Sequence, residues 1–529
     1  MRHGAKPVAL FVGASLLFAA CGSSDDNSTS SNEDTGTQTK GGAMTVLAES
    51  GYSGAWPAGL DPGTNTSGAA NQSYMNAIYG QLFQLGEGGK IIPDLAEGSE
   101  ISDDGKTVKI MIRPGVKFSD GSPFDAKTVQ WHIQRMLKSE CTCRPTWPVK
   151  SVTTDGESTV VLNFTQPYAP IINSFIDSNA NWVASKTALE KMGEREFRIK
   201  PVGAGPFKVV SNKLSSELVL ERNPTFYKKG RPFLDKLTFK SIGGDEAAYQ
   251  ALQSGQAQAY EDMATPSLVD QAKKNPKLTV TQQLSTSPYN IQLNTAIAPF
   301  NDKKARDAIY YATDSESIRS KLFQNRYPNT QSFTGPGGLF YQPKVDGYKT
   351  YDLEKAKALV SELGGLEVEL GTINVLVAKQ TIQALQSQWA QAGIKATLKN
   401  YDLAPLIARF QSKKWQAMFQ TAGSFDPAAG VGVAFRFSSM SPFSGVQDPK
   451  LDEMMGKAAG TLDQAERKRL YKDLAKYMSD QSYSPFLFAF APANLAIKGV
   501  KGPGLTSALP AVVVTPPIPW EEVSIDSGA

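Results

Sequence analysis

The run MFQTAGSFDP, residues 418–427, brings an amide (Gln420), two hydroxyls (Thr421 and Ser424), a ring (Phe425) and a carboxylate (Asp426) to the end of a strand-like stretch. Such a set could do acid–base chemistry in a turn or hold a polar solute. Catalysis finds little support in the rest of the chain. There are 2 histidines; His3 lies at the extreme amino terminus, and His132 sits beside Trp131 and Ile133 in a helical pattern, a packing position. That scarcity removes most Ser-His-Asp, Cys-His and His-rich metal schemes. No Ser-x-x-Lys pair and no Gly-x-x-x-x-Gly-Lys loop is present. Gly203-Ala204-Gly205 starts like a dinucleotide loop but meets Pro206 with no helix after it, so it reads as a turn. Asp103 and Asp104, in SDDGK, read as a hairpin turn with Gly105 supplying positive φ, not as the acid pair of a glycosidase. No cofactor and no metal site is expected.

The three cysteines follow a different logic. Arg2, His3 and Lys6 precede an apolar run from Val8 to Ala20 that has signal-peptide proportions and is too short for a stop-transfer helix. Leu17-Phe18-Ala19-Ala20-Cys21 resembles the lipobox of bacterial lipoproteins, which makes Cys21 the lipidated residue; Phe18 stands where an aliphatic residue is usual. Residues 1–20 are therefore expected to be a signal peptide. Residues 21–42, rich in Ser, Thr, Asn, Asp and Gly, are expected to be a flexible tether. Cys141 and Cys143 are separated by one residue; an extracytoplasmic address permits a local disulfide, with two free thiols as the alternative.

Beyond the tether, composition is that of an ordinary globular protein: 41% apolar and 20% charged, in a chain of 529 residues that must fold as two or three domains or lobes. Losing Arg2 and Lys6 takes the formal net charge from +4 to +2. With lysines and acids interleaved and no basic block, nucleic acid is not a partner. Strands are expected over 43–50, 158–164, 277–283, 290–294, 372–377, 395–398 and 416–420, with a hairpin made by 207–210 and 218–221. Helices are expected over 71–83, 245–254, 302–313, 314–324, 353–363, 382–392 and 463–479, and one starting at Asp125 with Val129, His132, Ile133 and Met136 on one face. The strand–helix alternation after Asp245 predicts α/β lobes with mostly parallel sheets.

Seven segments, in order, carry a resemblance. They are KIIPDLAEGSEISDDGKTVKIMIRPGVKFSDGSPFDAKTV (90–129), PVGAGPFKV (201–209), ERNPTFYKKG (221–230), FNDKKARDAIYYATD (300–314), YDLEKAKALVSELG (351–364), AGIK (392–395) and ERKRLYKDLAKYMSDQSYSPF (466–486). Together they resemble the family 5 solute-binding proteins of ABC importers, the peptide- and nickel-binding group, from about residue 42 to 501. The resemblance implies a two-lobed periplasmic-binding-protein fold of type II, cluster C-like, with an extra inserted subdomain. Lobe I would comprise 43–72, 198–284 and 490–529, with the subdomain at 73–197 and lobe II at 285–489. Ligand would lie between hinge-closing lobes at strand C-terminal ends. Ligand-facing candidates are Tyr52 and Trp56 in a Gly/Ser/Pro-rich loop, Trp182 in SNANWVAS, Tyr289 and Asn290 near the hinge crossing, and Gln420, Thr421, Ser424, Phe425 and Asp426.

In peptide binders of this family the strand end resembles Trp-x-x-Asp before an acid-proline pair, and that Asp holds the peptide's amino group. Registered on Asp426-Pro427, this chain has Gln420 for the Trp and Gly423 for the Asp. The scaffold is kept and the ammonium clamp is lost. The expectation is a lipid-anchored, monomeric receptor on the outer face of the cell membrane. It would capture a small polar solute, a peptide or peptide-like molecule, and deliver it to permease subunits with cytoplasmic ATPases. A sugar or organic acid on the same scaffold is the alternative; an extracytoplasmic carboxylate-dependent hydrolase and a surface interaction protein fit less well.

Overall fold

The computed structural model of the chain describes residues 40–49, 59–66, 71–139, 144–512 and 515–527. The signal segment, most of the tether, and Cys21, Tyr52, Trp56, Cys141 and Cys143 lie outside the described residues.

Three sheets organise the described chain. The largest has seven strands, in the order Leu278–Gln282, Ala493–Ile497, Ala259–Met263, Ala43–Glu49, Lys236–Ile242, Glu217–Arg222 and Phe207–Lys213. The first strand of the chain thus sits at its centre, with its neighbours drawn from far downstream. A second sheet of five strands runs Ile394–Tyr401, Leu366–Ile373, Ala417–Thr421, Pro288–Leu293, Phe486–Ala489. A third, of four strands, is formed by Ala96–Ile101, Thr107–Ile112, Thr159–Phe164 and Val149–Asp155.

The expected predominance of parallel pairing is a correction. In the seven-stranded sheet only the two pairings of Ala43–Glu49 are parallel, and in the five-stranded sheet only those of Leu366–Ile373. The other neighbours run antiparallel. A parallel pair needs a crossover, which the helix Leu376–Gln391 supplies between Leu366–Ile373 and Ile394–Tyr401. Elsewhere a helix follows a strand without returning the chain to a parallel neighbour, because Ala493–Ile497 enters between Leu278–Gln282 and Ala259–Met263 from the far end of the chain.

Local chemistry sets the helix ends. Asp125 accepts from the Thr128 N–H at the start of Ala126–Lys138, whose Val129, His132, Ile133 and Met136 are buried. Asp302, Asp314, Asp352 and Asp463 cap four further helices in the same way. The helix expected over 71–83 is shorter, Gln72–Tyr79, and Phe83 begins a strand. It stops at Gly80, φ 64°, where the Gly203–Gly205 turn packs backbone to backbone: a Cβ on Gly203 would stand 2.4 Å from the Ile78 carbonyl oxygen. This is the duty of the glycine pair that looked like a nucleotide loop.

Each sheet has its own core. Val46, Phe239 and Trp520 belong to that of the seven-stranded sheet, Ile291, Phe419 and Trp389 to that of the five-stranded sheet, and Val108, Leu162 and Phe175 to that of the four-stranded sheet. The chain passes between the two larger sheets after Leu278–Gln282 and again between Phe486–Ala489 and Ala493–Ile497. The first crossing is braced by a C-terminal segment: Leu284–Ser285 pairs with Pro510–Ala511, and the Thr286 N–H donates to the Ala511 carbonyl at 3.1 Å.

Candidate ligand-binding site

The parallel strands of the two larger sheets end against one another. Beyond Lys236–Ile242 come Gly243, Gly244, Asp245 and Glu246, at the end of Ala259–Met263 lie Asp262 and, just past it, Ala264, and beyond Leu366–Ile373 come Val375, Leu376 and Val377. Between them, closed at the hinge by Tyr289 and Phe490, is a cavity of about 260 Å³. Strand C-terminal ends facing a shared crevice are where open α/β folds hold ligands. Asp245 shapes this edge: its carboxylate accepts from the Tyr260 hydroxyl at 2.7 Å and from the backbone N–H groups of Ala264 and Thr265.

Next to it, Glu261 is almost wholly buried; one oxygen accepts from the Ser73 hydroxyl at 2.5 Å, and the other has no hydrogen-bond partner. Burial pushes its carboxyl up to about 7, against the pull of the Ser73 hydrogen bond.

The expected ligand-facing residues divide. Tyr289 lines the cavity, its ring stacked on Phe419 at 4.9 Å. Trp182 does not: it is buried in the core of the seven-stranded sheet, and its indole N–H donates to Asn76 Oδ1 at 2.8 Å. Its polar flanks are spent on internal bonds, Asn181 to Phe83 and Asn179 to Pro62. Asn290 and Gln420 stand opposite one another in register and are buried inside the five-stranded lobe, Asn290 donating to Ser484 and Gln420 to Gln292.

The turn after Ala417–Thr421 has a different task from the one expected. Thr421 and Ser424 are buried, and the Ser424 hydroxyl donates to the Asp426 carbonyl at 2.5 Å. Phe425 inserts into the core of the four-stranded subdomain. Asp426 pairs in two-pronged fashion with Arg467, both side chains having no exposed area, and accepts from Asn173 Nδ2 at 2.9 Å. From the subdomain, the Asp177 carboxylate accepts the backbone N–H groups of Phe425 (2.9 Å) and Asp426 (3.2 Å), and the Tyr168 hydroxyl donates to the Ala428 carbonyl. Residues 424–428 therefore clasp the subdomain instead of flooring an open cleft. Burial pushes the Asp177 carboxyl up to about 8; its two N–H donors oppose that shift and the nearby Asp426 reinforces it.

Gly423 settles what its position can hold. A Cβ there would lie 2.7 Å from the Thr286 carbonyl oxygen, 2.8 Å from Ser287 Cα and 2.9 Å from Pro288 Cδ. No side chain, acidic or otherwise, fits without moving the hinge backbone.

Sequence reasoning missed Asp177, Asn173 and Arg467. Arg467 carried a signal: it lies three and four residues before Leu470 and Tyr471 on the buried stripe of Gln464–Asp480, although its neighbours Glu466, Lys468 and Arg469 read as a solvated face. Among the described residues no group of His, Cys, Asp and Glu could hold a metal ion.

The model of the bacterial extracellular solute-binding proteins, family 5 (Middle), matches residues 90–442. The chain belongs to this family. Among its relatives, the glutathione-binding protein GsiB of Pectobacterium atrosepticum is 27% identical over 435 residues, covering 78% of this chain and 83% of that one. The di/tripeptide-binding protein 1 of Pseudomonas aeruginosa is 25% identical over 470 residues, 80% of this chain and 86% of that one. Among solved structures, DppA of Helicobacter pylori in complex with the peptide STSA superposes with a TM-score of 0.79 at 20% identity, over 92% of this chain and 99% of that one. AgaA of A. tumefaciens R10, in complex with agropinic acid, gives 0.77 at 22% identity over 92% and 99%. This family 5 chain thus has the two-lobed type II binding-protein fold, α/β throughout, and the family places it outside the cytoplasm. No helix among the described residues is long and apolar enough to cross a membrane.

Proposed function

We propose that this family 5 protein is the membrane-anchored receptor of an ABC importer, capturing a small polar solute between hinge-closing lobes and passing it to permease subunits driven by cytoplasmic ATPases. The observation that carries this reading is the interlobe cavity at the strand ends, spanned by two chain crossings, in a chain that matches the family over residues 90–442. Lobe I comprises 43–72, 198–284 and 490–529, the inserted subdomain 73–197, and lobe II 285–489. The separate cores of the three sheets support three bodies, while Tyr74–Tyr79 and Trp182, Ala184, Ala188 and Phe197 at the two ends of 73–197 pack in the core of the seven-stranded sheet. After removal of residues 1–20, acyl chains on Cys21 anchor the protein to the outer face of the membrane, and residues 21–42 tether it there as a monomer. Cys141 and Cys143 close a local disulfide. The protein binds and does not catalyse.

Its solute is a peptide or peptide-like molecule, as for the relatives with glutathione and di/tripeptides in their names. Gly423 favours a second reading, a non-peptide solute such as a sugar or organic acid, because the family's ammonium clamp has no room at that position. Native mass spectrometry of the purified protein, followed by calorimetry with the solute found, separates the two. A retained peptide supports the first reading, a retained sugar or acid the second. A protein that retains nothing, and whose radius of gyration is unchanged by any solute of a peptide, sugar and organic-acid panel, is not this receptor. Replacing Cys21 by Ser is expected to release the protein from the membrane fraction.

A further inference from the structure

The five-stranded lobe is joined to the seven-stranded sheet by two chain crossings, and it has a third, non-covalent tie. Phe425, at 2% exposure, together with Leu339 and Ala459, packs against the core of the four-stranded body, although all three come from the chain between the crossings. This seam runs from the turn beside the hinge, where the Leu339 N–H donates to the Phe425 carbonyl at 2.8 Å, to the junction of the helices Pro449–Gly460 and Gln464–Asp480. At that junction the Ala169 N–H donates to the Ala459 carbonyl at 2.9 Å, and a Cβ on Gly105 would stand 3.2 Å from Leu462 Cδ2. To these are added the bonds of Asp177, Asn173 and Tyr168 described above. The four-stranded body is itself held to the seven-stranded side by other contacts. Arg135 pairs in two-pronged fashion with Asp61, at 2.8 and 2.6 Å, Lys228 meets Asp94 at 2.7 Å, and Trp182 is buried in the core of the seven-stranded sheet. A five-stranded lobe that swings on its two crossings therefore has to part the seam.

The seam is built to part without stranding a charge. Asp426 and Arg467 both belong to the chain between the crossings, so the buried carboxylate keeps its cation when the seam opens. What is given up is the Asn173 bond to Asp426, the two N–H bonds to Asp177 and the bonds of Tyr168 and Ala169, all of which water can replace, together with the burial of the Phe425 ring. None of these seam residues lines the interlobe cavity, so the seam grips with or without a solute. We propose that the seam is a closing latch of the receptor: Phe425 plugs the four-stranded core, Asp177 pins the backbone at the plug, and the whole seam engages and releases as one unit as the lobes close and open. The latch rests on the receptor reading and deepens it. With closure favoured in advance, a solute has less of it to drive by its own differential binding.

The test is residue-resolved hydrogen exchange on the purified protein with no solute added. The Phe425 and Asp426 amides, bonded to Asp177, and the Ala169 amide, bonded to Ala459, come from opposite sides of the seam. They are expected to share one protection factor, at least about tenfold below that of the strands Ala417–Thr421 and Thr159–Phe164 on either side. Phe425→Ala is expected to lower that shared protection about tenfold or more at Asp426 and Ala169 alike, with Phe425→Leu losing less and both strands keeping theirs. The wild-type measurement decides even where a variant fails to fold. Protection of the three amides equal to that of the strands, as in a permanent joint, overturns the latch. So do three unrelated protection factors, or a Phe425→Ala protein in which Asp426 exchanges faster and Ala169 does not. A solute retained by a protein whose seam never parts would leave the receptor reading standing and remove the latch alone. A protein that retains no peptide, sugar or organic acid and contracts with none removes both.

Discussion

Single residues decide what the strand end can be. At Gly423 any Cβ meets backbone, so Gly423→Asp, which restores the family's acid, is expected to cost roughly 2–4 kcal/mol through displacement of the hinge backbone without creating an ammonium site. Urea unfolding and calorimetry with a free-amine dipeptide check both halves. The buried Asp426–Arg467 pair behaves differently. Arg467→Ala leaves a carboxylate buried without its cation and should cost about 3–5 kcal/mol, whereas Asp426→Asn with Arg467→Met should recover a good part of that loss. His132 is wholly buried, and burial holds its imidazole down at about 3, well below the ordinary 6.5, with Arg135 adding to the effect. The unfolded chain therefore takes up a proton that the folded chain refuses between pH 6.5 and 3, and stability falls as pH drops through that window. Relative to His132→Gln, the wild type should lose about 1.4 kcal/mol per pH unit there. Parallel stability–pH curves for the two proteins would refute it.

At the scale of elements, the clasp between the helix Ile171–Ile176, the residues just after it and the turn 424–428 joins the body of the four-stranded sheet to the end of a strand of the five-stranded one through backbone groups. Asp177 is central, faced by the Phe425 and Asp426 N–H groups, by the carboxylate of Asp426 and, behind that, by Arg467, with Arg144 lining the same small cavity. With its carboxyl at about 8 in the clasp, against 3.8 ordinarily, the clasped form binds a proton more tightly than the separated form. Its contribution is complete below pH 4 and is lost as pH rises to 8. Asp177→Asn should flatten that part of the stability–pH curve, whatever offset it adds, as melting temperatures at pH 5 and 8 would show.

Helix starts were legible because Asp125, Asp302, Asp314, Asp352 and Asp463 announce themselves before apolar stripes. The family was legible because its turns are short and local, such as SDDGK, where Gly105 does take φ 66°. Sheet direction was not, since it depends on which distant strand arrives alongside. The site was legible only in part: Tyr289 reaches the cavity, while Trp182 and Phe425 are core residues whose polar neighbours concealed their packing. Nothing local marks Asp177 as a partner for residues some 250 positions away.

The molecule as a whole is tied together from its carboxyl end. Trp520 packs edge-on to Phe239 at 5.3 Å and donates to the Ser73 carbonyl, while Glu521 meets Lys228 and Gln84. Removing residues 518–529 should unlock the seven-stranded sheet while the five-stranded sheet, built from residues 288–489, keeps its slow amide exchange. Loss of protection in both sheets alike would show that they do not open separately. A chain threaded through a membrane pore amino end first carries this topology as a timing device. Its first strand must wait in the oldest exported segment until Ala493–Ile497 and Trp520 emerge, by which time the five-stranded lobe has all its strands outside. The half that holds the first strand is then the last to set, so a molecule whose synthesis stops early is exported but unfinished, and open to proteases.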